Sequence, residues 1–336
     1  MKNKLRFGVL STASIGMRKV LPAMLHGQQT MVTAIASRDL SRAQQAAQKL
    51  GIAKAYGSYE ELLADPEIDA VYNPLPNHLH VPWTIKAAEA GKHVLCEKPI
   101  ALTLEEAKKL LEVRANFGVK ICEAFMIRSA PQWIRLRELI QQERIGKLLA
   151  VTGVFSYSNA NPANIRNQVE YGGGGVYDIG CYLIHAARYA FQQEPKRVIS
   201  LLDRDPVMKT DRLATAILDF EGGQASFVCG TQMIPCQKMN FFGTKGRIEI
   251  EIPFNAPPEK TTRIFIDSSG DFSGSGVSIE TFPAADQYTL QGDAFAQAVF
   301  ENSEAPVPLE DTLGNMAVID AIYRSAQSER WEKLQN

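Results

Sequence analysis

The chain has 336 residues, of which 45% are hydrophobic and 22% charged, and its formal net charge at pH 7 is -1. That length suits about two domains, and the composition is that of a folded globular protein, which excludes disorder and a small disulfide-stabilised scaffold. The balanced charge gives no general field that would attract nucleic acid, and no apolar run approaches the roughly 20 residues that span a bilayer. We therefore expect neither nucleic acid nor a membrane as a partner.

The five cysteines are widely spaced and include no C-x-x-C pair. An odd, scattered set is typical of reduced thiols in a cytosolic protein, so we predict neither a disulfide framework nor a zinc site. The basic N-terminus and the apolar stretch after it resemble a signal peptide only superficially, because polar residues such as Ser11 and Ser14 dilute the stretch. A buried first strand and a cytoplasmic location are the better prediction.

The first third of the chain alternates short apolar segments with helical periodicity. The predicted strands are Leu5–Leu10, Met31–Ala36, Ala70–Tyr72, His93–Cys96 and Val119–Cys122. The predicted helices are Ile15–Leu25, Leu40–Leu50, Tyr59–Leu63, Val81–Ala90 and Leu104–Phe117. Wholly apolar strands separated by helices indicate a parallel sheet covered on both faces, and such a sheet binds ligands beyond the carboxyl ends of its strands.

After Glu123 the pattern changes to the alternation of an antiparallel sheet. The predicted strands are Leu149–Tyr157, Val198–Leu202, Leu213–Phe220, Gln224–Cys229, Lys238–Phe242 and Arg247–Ile252. The predicted helices are Gln132–Gln142, Cys181–Phe191, Leu290–Glu301 and Thr312–Ser328, with loops and short strands over residues 255–288. We therefore predict a doubly wound α/β domain at residues 1–125 and an α+β domain with an open, mostly antiparallel sheet at residues 126–336.

The turn after the first strand is a degraded form of the G-x-G-x-x-G pattern. Ser11, Ala13 and Gly16 occupy its three glycine positions. Small residues there let the backbone approach a pyrophosphate, and the N-terminus of the next helix supplies amides and a positive dipole. Because small residues are common at any tight strand–helix turn, the motif alone is a weak signal. The residues predicted to contact a dinucleotide are Ser11, Thr12, Ala13, Ile15 and Gly16.

The second predicted strand ends in Ala36-Ser37-Arg38-Asp39. Folds that prefer NAD usually place an acid here to bind the ribose 2′-hydroxyl, whereas an arginine accommodates the 2′-phosphate of NADP. Ser37 and Arg38 therefore favour NADP. In the competing interpretation Asp39 binds the ribose of NAD, but Asp39 also suits the N-cap of the following helix.

Two further loops follow strands of the predicted parallel sheet. Asn73-Pro74-Leu75-Pro76-Asn77-His78-Leu79-His80 is held extended by its prolines, so Leu75, Asn77 and His80 are predicted to contact the cofactor; the alternative is a rigid loop with Asn77 as helix N-cap. His78 and His80 lack nearby acids or cysteines, so we predict no metal site. Glu97-Lys98-Pro99 follows His93–Cys96, and Lys98 there can hydrogen-bond a substrate hydroxyl and the nicotinamide ribose.

A glycine-rich segment, Gly172-Gly173-Gly174-Gly175, precedes a helix that carries Asp178, Tyr182 and His185. Four glycines let the backbone adopt positive φ and pass close to a ligand. Asp178 and Tyr182 are four residues apart and share one helical face. An acid, a phenol and an imidazole in this setting suit proton transfer to or from a hydroxyl or carbonyl, although each alone is more often a cap or a packed side chain.

These motifs together resemble the glucose–fructose oxidoreductase/inositol dehydrogenase (Gfo/Idh/MocA) family over essentially the whole chain. The resemblance is carried by the nucleotide turn, the Pro-Leu-Pro-Asn-x-x-His loop, the segment from Ala90 to Pro99, and Gly173-Gly174-Gly175 followed by Asp178-x-Gly180-x-Tyr182. Within the family the chain is similar to the branch of dihydrodiol dehydrogenase, D-xylose dehydrogenase and glucose–fructose oxidoreductase, which has Tyr where inositol dehydrogenases have His.

The resemblance implies an N-terminal Rossmann domain, a C-terminal domain with an open antiparallel sheet, and dimers or tetramers built through the outer face of that sheet. It also implies a catalytic Lys and Tyr, which fall on Lys98 and Tyr182. The export segment of periplasmic relatives is missing, which supports a cytoplasmic protein with exchangeable cofactor. The first two glycines of the nucleotide turn are absent here, as in some relatives.

We therefore expect an NADP-dependent oxidoreductase, with NAD possible, that acts on a cyclic sugar (an aldose) or a related vicinal diol. In this hypothesis Tyr182 exchanges the proton, Lys98 stabilises the phenolate, and Asp178 holds a second hydroxyl or the lysine. Two alternatives are a catalytically inactive NAD(P)-binding sensor or regulator and a reductase of non-sugar rings. Residues predicted to contact cofactor or substrate besides those above are Glu97, Phe155, Asn159, Arg166, Asp178 and His185.

Overall fold

The structure is a computed structural model that describes residues 4–335. The chain divides into two compact units. The first comprises the residues up to Ser129 together with Asp286–Leu313, and the second comprises Ala130–Ala285 together with the residues from Gly314 onward. Within the described residues no helix is both long and apolar enough to span a bilayer.

The first unit is built on a parallel sheet, which has six strands within residues 4–335. The strands are β1 (Leu5–Leu10), β2 (Thr30–Ala36), β3 (Lys54–Tyr56), β4 (Ala70–Asn73), β5 (His93–Cys96) and β6 (Ile121–Glu123). Their order is β3-β2-β1-β4-β5-β6, and every paired register is parallel. This is the doubly wound order of dinucleotide-binding folds, so the predicted fold class is confirmed. The short strand β3 was not predicted.

Helices cover this sheet at nearly the predicted positions. They are α1 (Leu21–Leu25), α2 (Leu40–Leu50), α3 (Tyr59–Ala64), α4 (His80–Glu89), α5 (Leu104–Phe117) and α8 (Gln287–Phe300). A π-helical segment, Gly16–Val20, runs directly into α1, and a 3-10 turn, Asn77–Leu79, precedes α4. α2 and α5 each end at a glycine with a left-handed backbone, Gly51 at φ 68° and Gly118 at φ 62°. Glycine adopts this conformation without the Cβ penalty of other residues, which explains why the helices stop there.

α8 belongs to the first unit, whereas the sequence placed it within the second domain. The Thr289 hydroxyl donates a 2.9 Å hydrogen bond to the carbonyl of Ala23, and the Asp293 carboxylate accepts from the amides of Gln28 and Gln29 at 2.9 and 2.8 Å. Asp293 thereby satisfies two loop amides from a helix more than 260 residues away along the chain. Helical periodicity predicts that such a helix exists, but it does not identify the surface on which the helix packs.

The second unit contains a sheet with nine strands among the described residues, in the order β14-β13-β12-β11-β7-β10-β9-β8-β15. The strands are β7 (Leu148–Ser158), β8 (Arg197–Arg204), β9 (Asp211–Phe220), β10 (Gly223–Gly230), β11 (Gln232–Gly243), β12 (Arg247–Ile250), β13 (Thr262–Asp267), β14 (Val277–Phe282) and β15 (Glu332–Lys333). β7 and β10 pair in parallel, and the other paired registers are antiparallel. The prediction of a mostly antiparallel sheet is confirmed.

Helices α6 (Pro131–Gln141) and α7 (Cys181–Phe191) belong to this unit, as does α9 (Leu309–Ser328) from Gly314 onward. A π-helical segment, Val176–Gly180, leads into α7. α7 lies close against β7, because a Cβ on Gly153 would come within 2.6 Å of the Leu183 side chain. The absence of a side chain at Gly153 therefore lets the helix approach the sheet closely.

Candidate active site

The turn after β1 has the backbone that its degraded motif requires. Ser11 adopts a left-handed backbone with φ 95°, and its amide donates a 3.0 Å hydrogen bond to the carbonyl of Ala36. Glycine is usual at such a position because a side chain there is strained. Gly16 is buried, with Tyr72 and Pro74 beside it. A helical segment, Gly16–Val20, follows the turn, and the N-terminus of a helix favours an anion.

The end of β2 separates the two interpretations of Asp39. Its carboxylate accepts from the amides of Ser41 and Arg42 at 2.9 and 3.3 Å, so Asp39 is the N-cap of α2. Ser37 is buried, whereas Arg38 is exposed. Burial raises the pKa of Tyr59, and the neighbouring Arg38 guanidinium opposes that shift. An arginine and a serine thus remain at the strand end as donors for an anionic group.

The loop after β4 is organised by a residue that the sequence analysis missed. The Asn73 amide nitrogen donates to the carbonyl of His80 at 3.1 Å and contacts the Thr84 hydroxyl at 3.4 Å, while its oxygen accepts from the amide of Leu75 at 3.3 Å. Asn73 is fully buried, and nothing in the local pattern distinguishes it from a polar loop residue. Asn77 begins the 3-10 turn that Pro76 caps, so it is not the N-cap of α4.

His80 differs from its prediction as a cofactor-facing residue. Its side chain is buried, with 1% exposure. Its Nδ1 lies 2.7 Å from the carbonyl oxygen of Pro99, and its Nε2 lies 2.6 Å from that of Leu75. Both polar atoms of the ring are therefore directed at the protein's own backbone, which leaves the imidazole no further polar atom for a ligand.

The segment Glu97-Lys98-Pro99 leaves the carboxyl end of β5 in a tightly held turn. The Glu97 carboxylate accepts a 2.7 Å hydrogen bond from the Tyr72 hydroxyl, and the Lys98–Pro99 peptide is cis. On the far side of the turn, the amide of Ile100 donates to the buried Glu123 carboxylate at 2.9 Å. Lys98 is half-buried between these anchored residues. The sequence predicted Glu97 and Lys98 but missed Glu123, whose position at the end of β6 was its only signal.

In the second unit, the glycine-rich segment passes close to protein atoms. Gly174 has φ 129°, and a Cβ there would lie 2.1 Å from Oδ1 of Asp211. The Asp211 carboxylate accepts from the amide of Val176 at 2.7 Å and from the Tyr323 hydroxyl at 2.9 Å. Burial raises the pKa of Asp211. This aspartate, which the sequence analysis missed, caps the start of the helical segment that carries Asp178 and Tyr182.

Asp178 lies at the centre of a polar cluster. The Tyr157 hydroxyl donates a 2.6 Å hydrogen bond to its Oδ2, and the Arg166 Nε donates to its Oδ1 at 3.0 Å. Burial, followed by the charge of Asp178, raises the pKa of Tyr157. The structure thus brings together Asp178 and Arg166, both predicted as site residues. Asn159, also predicted as a site residue, makes a local contact: its side-chain oxygen accepts a hydrogen bond from the amide of Asn161.

Tyr182 lies in an aromatic cluster on the next turn of the helix. Its ring centroid is 5.9 Å from that of Phe155 and 5.5 Å from that of Phe254, and its exposure is 7%. Phe254 was not identified from the sequence, since it lies in a loop after β12. His185 is 1% exposed, and its ring is parallel to that of Tyr189. Among the predicted residues of the second unit, Arg166 therefore contacts Asp178, and Phe155 contacts Tyr182.

Titration of His80 should appear in the pH dependence of stability. Burial, with smaller effects of Lys98 and His78, lowers its pKa to about 4, although hydrogen bonds to the Pro99 and Leu75 carbonyls oppose the shift. Below its ordinary pKa of 6.5 the unfolded chain takes up a proton that the folded protein refuses. The free energy of unfolding, relative to His80→Gln, should therefore fall from about pH 6.5 to about pH 4 by at most about 3 kcal/mol.

Urea unfolding followed by circular dichroism at a series of pH values measures this difference, with the exposed His26→Gln as the matched control. Identical pH profiles for the wild type and His80→Gln would contradict the assignment.

Comparison with known proteins assigns both parts of the chain to known families of domains. Residues 5–125 match the model of an oxidoreductase family with an NAD-binding Rossmann fold, and residues 133–249 match the GFO/IDH/MocA C-terminal domain. An uncharacterized oxidoreductase, ORF334, from Rhizobium meliloti is 47% identical over 98% of this chain and 99% of its own. D-xylose 1-dehydrogenase (NADP(+)) 2 from Haloferax volcanii is 39% identical over 96% of this chain and 97% of its own.

Among solved structures, KijD10, a 3-ketoreductase from Actinomadura kijaniata in complex with NADP and TDP-benzene, superposes with a TM-score of 0.88 at 30% identity. The match covers 96% of this chain and 98% of that one. Both domains and full-length relatives agree with the resemblance found in the motifs. The chain therefore belongs to the GFO/IDH/MocA family and is an oxidoreductase with a nicotinamide-dinucleotide-binding Rossmann fold.

Proposed function

We propose that this protein is an NADP-dependent oxidoreductase that transfers a hydride between nicotinamide and a ring carbon of a cyclic sugar (an aldose) or a related vicinal diol or ketone. The observation that carries the proposal is the anchored turn at Glu97-Lys98-Pro99, which holds a half-buried ammonium group at the carboxyl end of β5. Ligands of doubly wound folds bind at that edge of the sheet. The Haloferax relative, named for D-xylose and NADP(+), supports the substrate class and the cofactor. A cytoplasmic location stays a prediction.

The residues at the carboxyl edge fit a phosphorylated dinucleotide. The turn from Ser11 to Gly16 offers a side-chain-poor backbone and the amides of a helix N-terminus to a pyrophosphate. Ser37 and the exposed Arg38 would hold a 2′-phosphate, because a hydroxyl and a guanidinium both donate hydrogen bonds to such a group. When bound, the nicotinamide supplies or accepts the hydride at its C4. Thr12, Ala13, Ile15, Leu75, Asn77 and Glu97 remain proposed cofactor contacts.

The protein's own groups would manage the proton and the substrate hydroxyls. Tyr182 exchanges the hydroxyl proton as general acid and base, and the Lys98 ammonium stabilises the phenolate that forms. The aromatic rings of Phe155 and Phe254 beside Tyr182 exclude water, which strengthens the influence of a nearby cation on the phenol. The Asp178 carboxylate accepts hydrogen bonds from Tyr157 and Arg166, and a carboxylate has acceptor sites enough to bind a substrate hydroxyl as well.

A panel of pyranoses and vicinal diols, assayed with NADP and NAD by absorbance at 340 nm, tests the reaction class. We expect turnover with at least one cyclic sugar and a higher kcat/KM with NADP. Tight cofactor binding without turnover on any member of the panel would overturn the proposal.

Removal of either proposed catalytic group should stop turnover. We expect Lys98→Ala and Tyr182→Phe each to lower kcat by roughly 100-fold or more, because each removes a group that acts on the reacting oxygen. NADPH binding, measured by fluorescence titration, should remain within about threefold of the wild type, since neither group is needed to hold the dinucleotide phosphates. Tyr189→Phe, on the same helix, is the matched control. Near-normal turnover of either purified variant would refute the assigned role.

Arg38 should decide the choice of cofactor. Arg38→Ala removes the cation proposed to bind the 2′-phosphate, so we expect NADP to bind roughly 10-fold or more weakly while the affinity for NAD changes little. Arg42→Ala, which removes an exposed arginine one helical turn away, serves as the control. Titration of both dinucleotides by calorimetry measures the effect. Equal losses of affinity for NADP and NAD would show that Arg38 does not bind the 2′-phosphate.

The outer face of the large sheet is proposed as the surface for self-association. β9 alternates buried Ala214, Ala216 and Leu218 with exposed Leu213, Thr215 and Ile217, and the neighbouring Leu201 on β8 is 77% exposed. An apolar face of this kind, left open to water, is typical of an interface. A second copy of the chain can cover it isologously as a dimer, and dimers can pair into tetramers.

We expect Leu201→Lys with Ile217→Lys to shift the protein toward monomer, because each copy would bury two positive charges in the interface. Light scattering coupled to size exclusion measures the mass, and Phe117→Lys, at an exposed phenylalanine of the first unit, is the control. An unchanged mass for the double variant would exclude this face of the sheet as the self-association interface.

A further inference from the structure

His80 occupies a buried position from which it contacts two loops at once. It is the first residue of α4 and has 1% exposure. Its Nε2 lies 2.6 Å from the carbonyl of Leu75, in the loop after β4, and its Nδ1 lies 2.7 Å from the carbonyl of Pro99, in the turn after β5. The imidazole is thus a bridge between two consecutive loops of the carboxyl edge, and one end of the bridge is the residue next to Lys98.

The contact at Pro99 fixes the least supported part of the turn. Glu97 is held by the Tyr72 hydroxyl on one side, and the amide of Ile100 is held by Glu123 on the other. The carbonyl of Pro99 lies between these two anchors and is buried, so it needs a donor of its own. His80 is the group that the structure places against it. With this contact the residues on both sides of Lys98 are held by buried side chains, Glu97 through its carboxylate and Pro99 through its carbonyl.

The chemistry of the ring sets how many of these contacts are hydrogen bonds. Carbonyl oxygens only accept, and a neutral imidazole carries a single N–H. Because burial keeps the ring neutral near pH 7, one of the two carbonyls receives its hydrogen bond, and the other lies against the second ring nitrogen. A side chain with a single donor can therefore replace part of what His80 does. A purely apolar side chain of similar size cannot.

We propose that His80 is a positioning residue, whose imidazole bridges the loops after β4 and β5 and thereby aims the Lys98 side chain at the reacting oxygen. This inference rests on the proposed function of Lys98, but not on the identity of the substrate. It also accounts for the histidine of the Pro-Leu-Pro-Asn-x-x-His loop, which the sequence analysis assigned to the cofactor. One side chain then links the two loops, in addition to the contacts that Asn73, Tyr72 and Glu123 make with them separately.

Kinetics of matched variants test the proposal. His80→Phe keeps an aromatic ring but removes both nitrogens, and His80→Gln restores one donor. We expect His80→Phe to lower kcat by about 100-fold, which is the order of loss that a misplaced catalytic group causes. The same substitution should weaken NADPH binding by no more than about tenfold. His80→Gln should recover kcat to within roughly tenfold of the wild type, and His26→Phe, at an exposed histidine of the same unit, should change nothing.

A folded His80→Phe with normal kcat would overturn the proposal. Loss of NADPH affinity as large as the loss of kcat would also overturn it, because the ring would then serve the cofactor loop instead. Failure of His80→Gln to recover activity, while folded by circular dichroism, would show that ring packing and not hydrogen bonding matters.

A second readout does not need turnover and so separates this inference from the proposed function. Reductive methylation with ¹³C-formaldehyde labels the lysines, and the Lys98 resonance is identified by its absence in Lys98→Arg. We expect the chemical shift and the titration midpoint of this resonance to change in His80→Phe and to return toward wild type in His80→Gln. A moved resonance in a protein that turns over no substrate would support the positioning role and reject the function. An unmoved resonance would reject the positioning role whether or not the enzyme is active.

Discussion

Buried backbone groups at the carboxyl edge of the parallel sheet must find hydrogen-bond partners, and the first unit is arranged around that requirement. A parallel sheet ends its strands at one edge, so the loops after β4, β5 and β6 all bury polar backbone there. Asn73, His80 and Glu123 supply the missing donors and acceptors from three different elements. Asn73 contacts the backbone of the loop that follows its own strand, whereas His80 and Glu123 contact the backbone of the turn that carries Lys98.

In the second unit, a carboxylate is the hydrogen-bond partner for backbone amides at the start of a helix. The first amides of a helix have no partner within the helix, and the segment that leads into α7 begins in a run of glycines that offers no side chain to cap it. Asp211, from the start of β9, accepts from Val176 and fills the space that a side chain at Gly174 would need. The glycine-rich segment and the distant aspartate therefore act together: the glycines leave room for the carboxylate, and the carboxylate caps the helical segment that carries Asp178 and leads to Tyr182.

The two proposed catalytic side chains have contrasting surroundings, each suited to its role. Lys98 is half-buried in a turn whose neighbours are anchored through carboxylates, a phenol and an imidazole. Tyr182 lies among aromatic rings, where little water competes for its hydroxyl. Electrostatic interactions are stronger in an apolar setting than in water, so the surroundings of Tyr182 would strengthen the effect of any charge on its phenol. Membership of the family accounts for the presence of the motifs, and these surroundings suit the chemistry that is proposed for Lys98 and Tyr182.

The sequence by itself determined most of the longer elements, because hydrophobic periodicity and helix caps are local: Leu40–Leu50, Leu104–Phe117 and Cys181–Phe191 have the predicted bounds, whereas the short strands β3 and β15 were not predicted. It also indicated the strand ends, where chemistry concentrates in a doubly wound fold, and so led to the prediction of Arg38 and Lys98 as site residues. It did not show the contacts of Asn73, Glu123 and Asp211, nor that both nitrogens of His80 face backbone carbonyls. Those residues act through partners from 2 to 112 positions away, and a one-dimensional pattern does not show which loop a polar side chain will meet. Only tertiary packing decided their roles, because hydrogen bonds across loops depend on which backbone groups burial leaves unsatisfied.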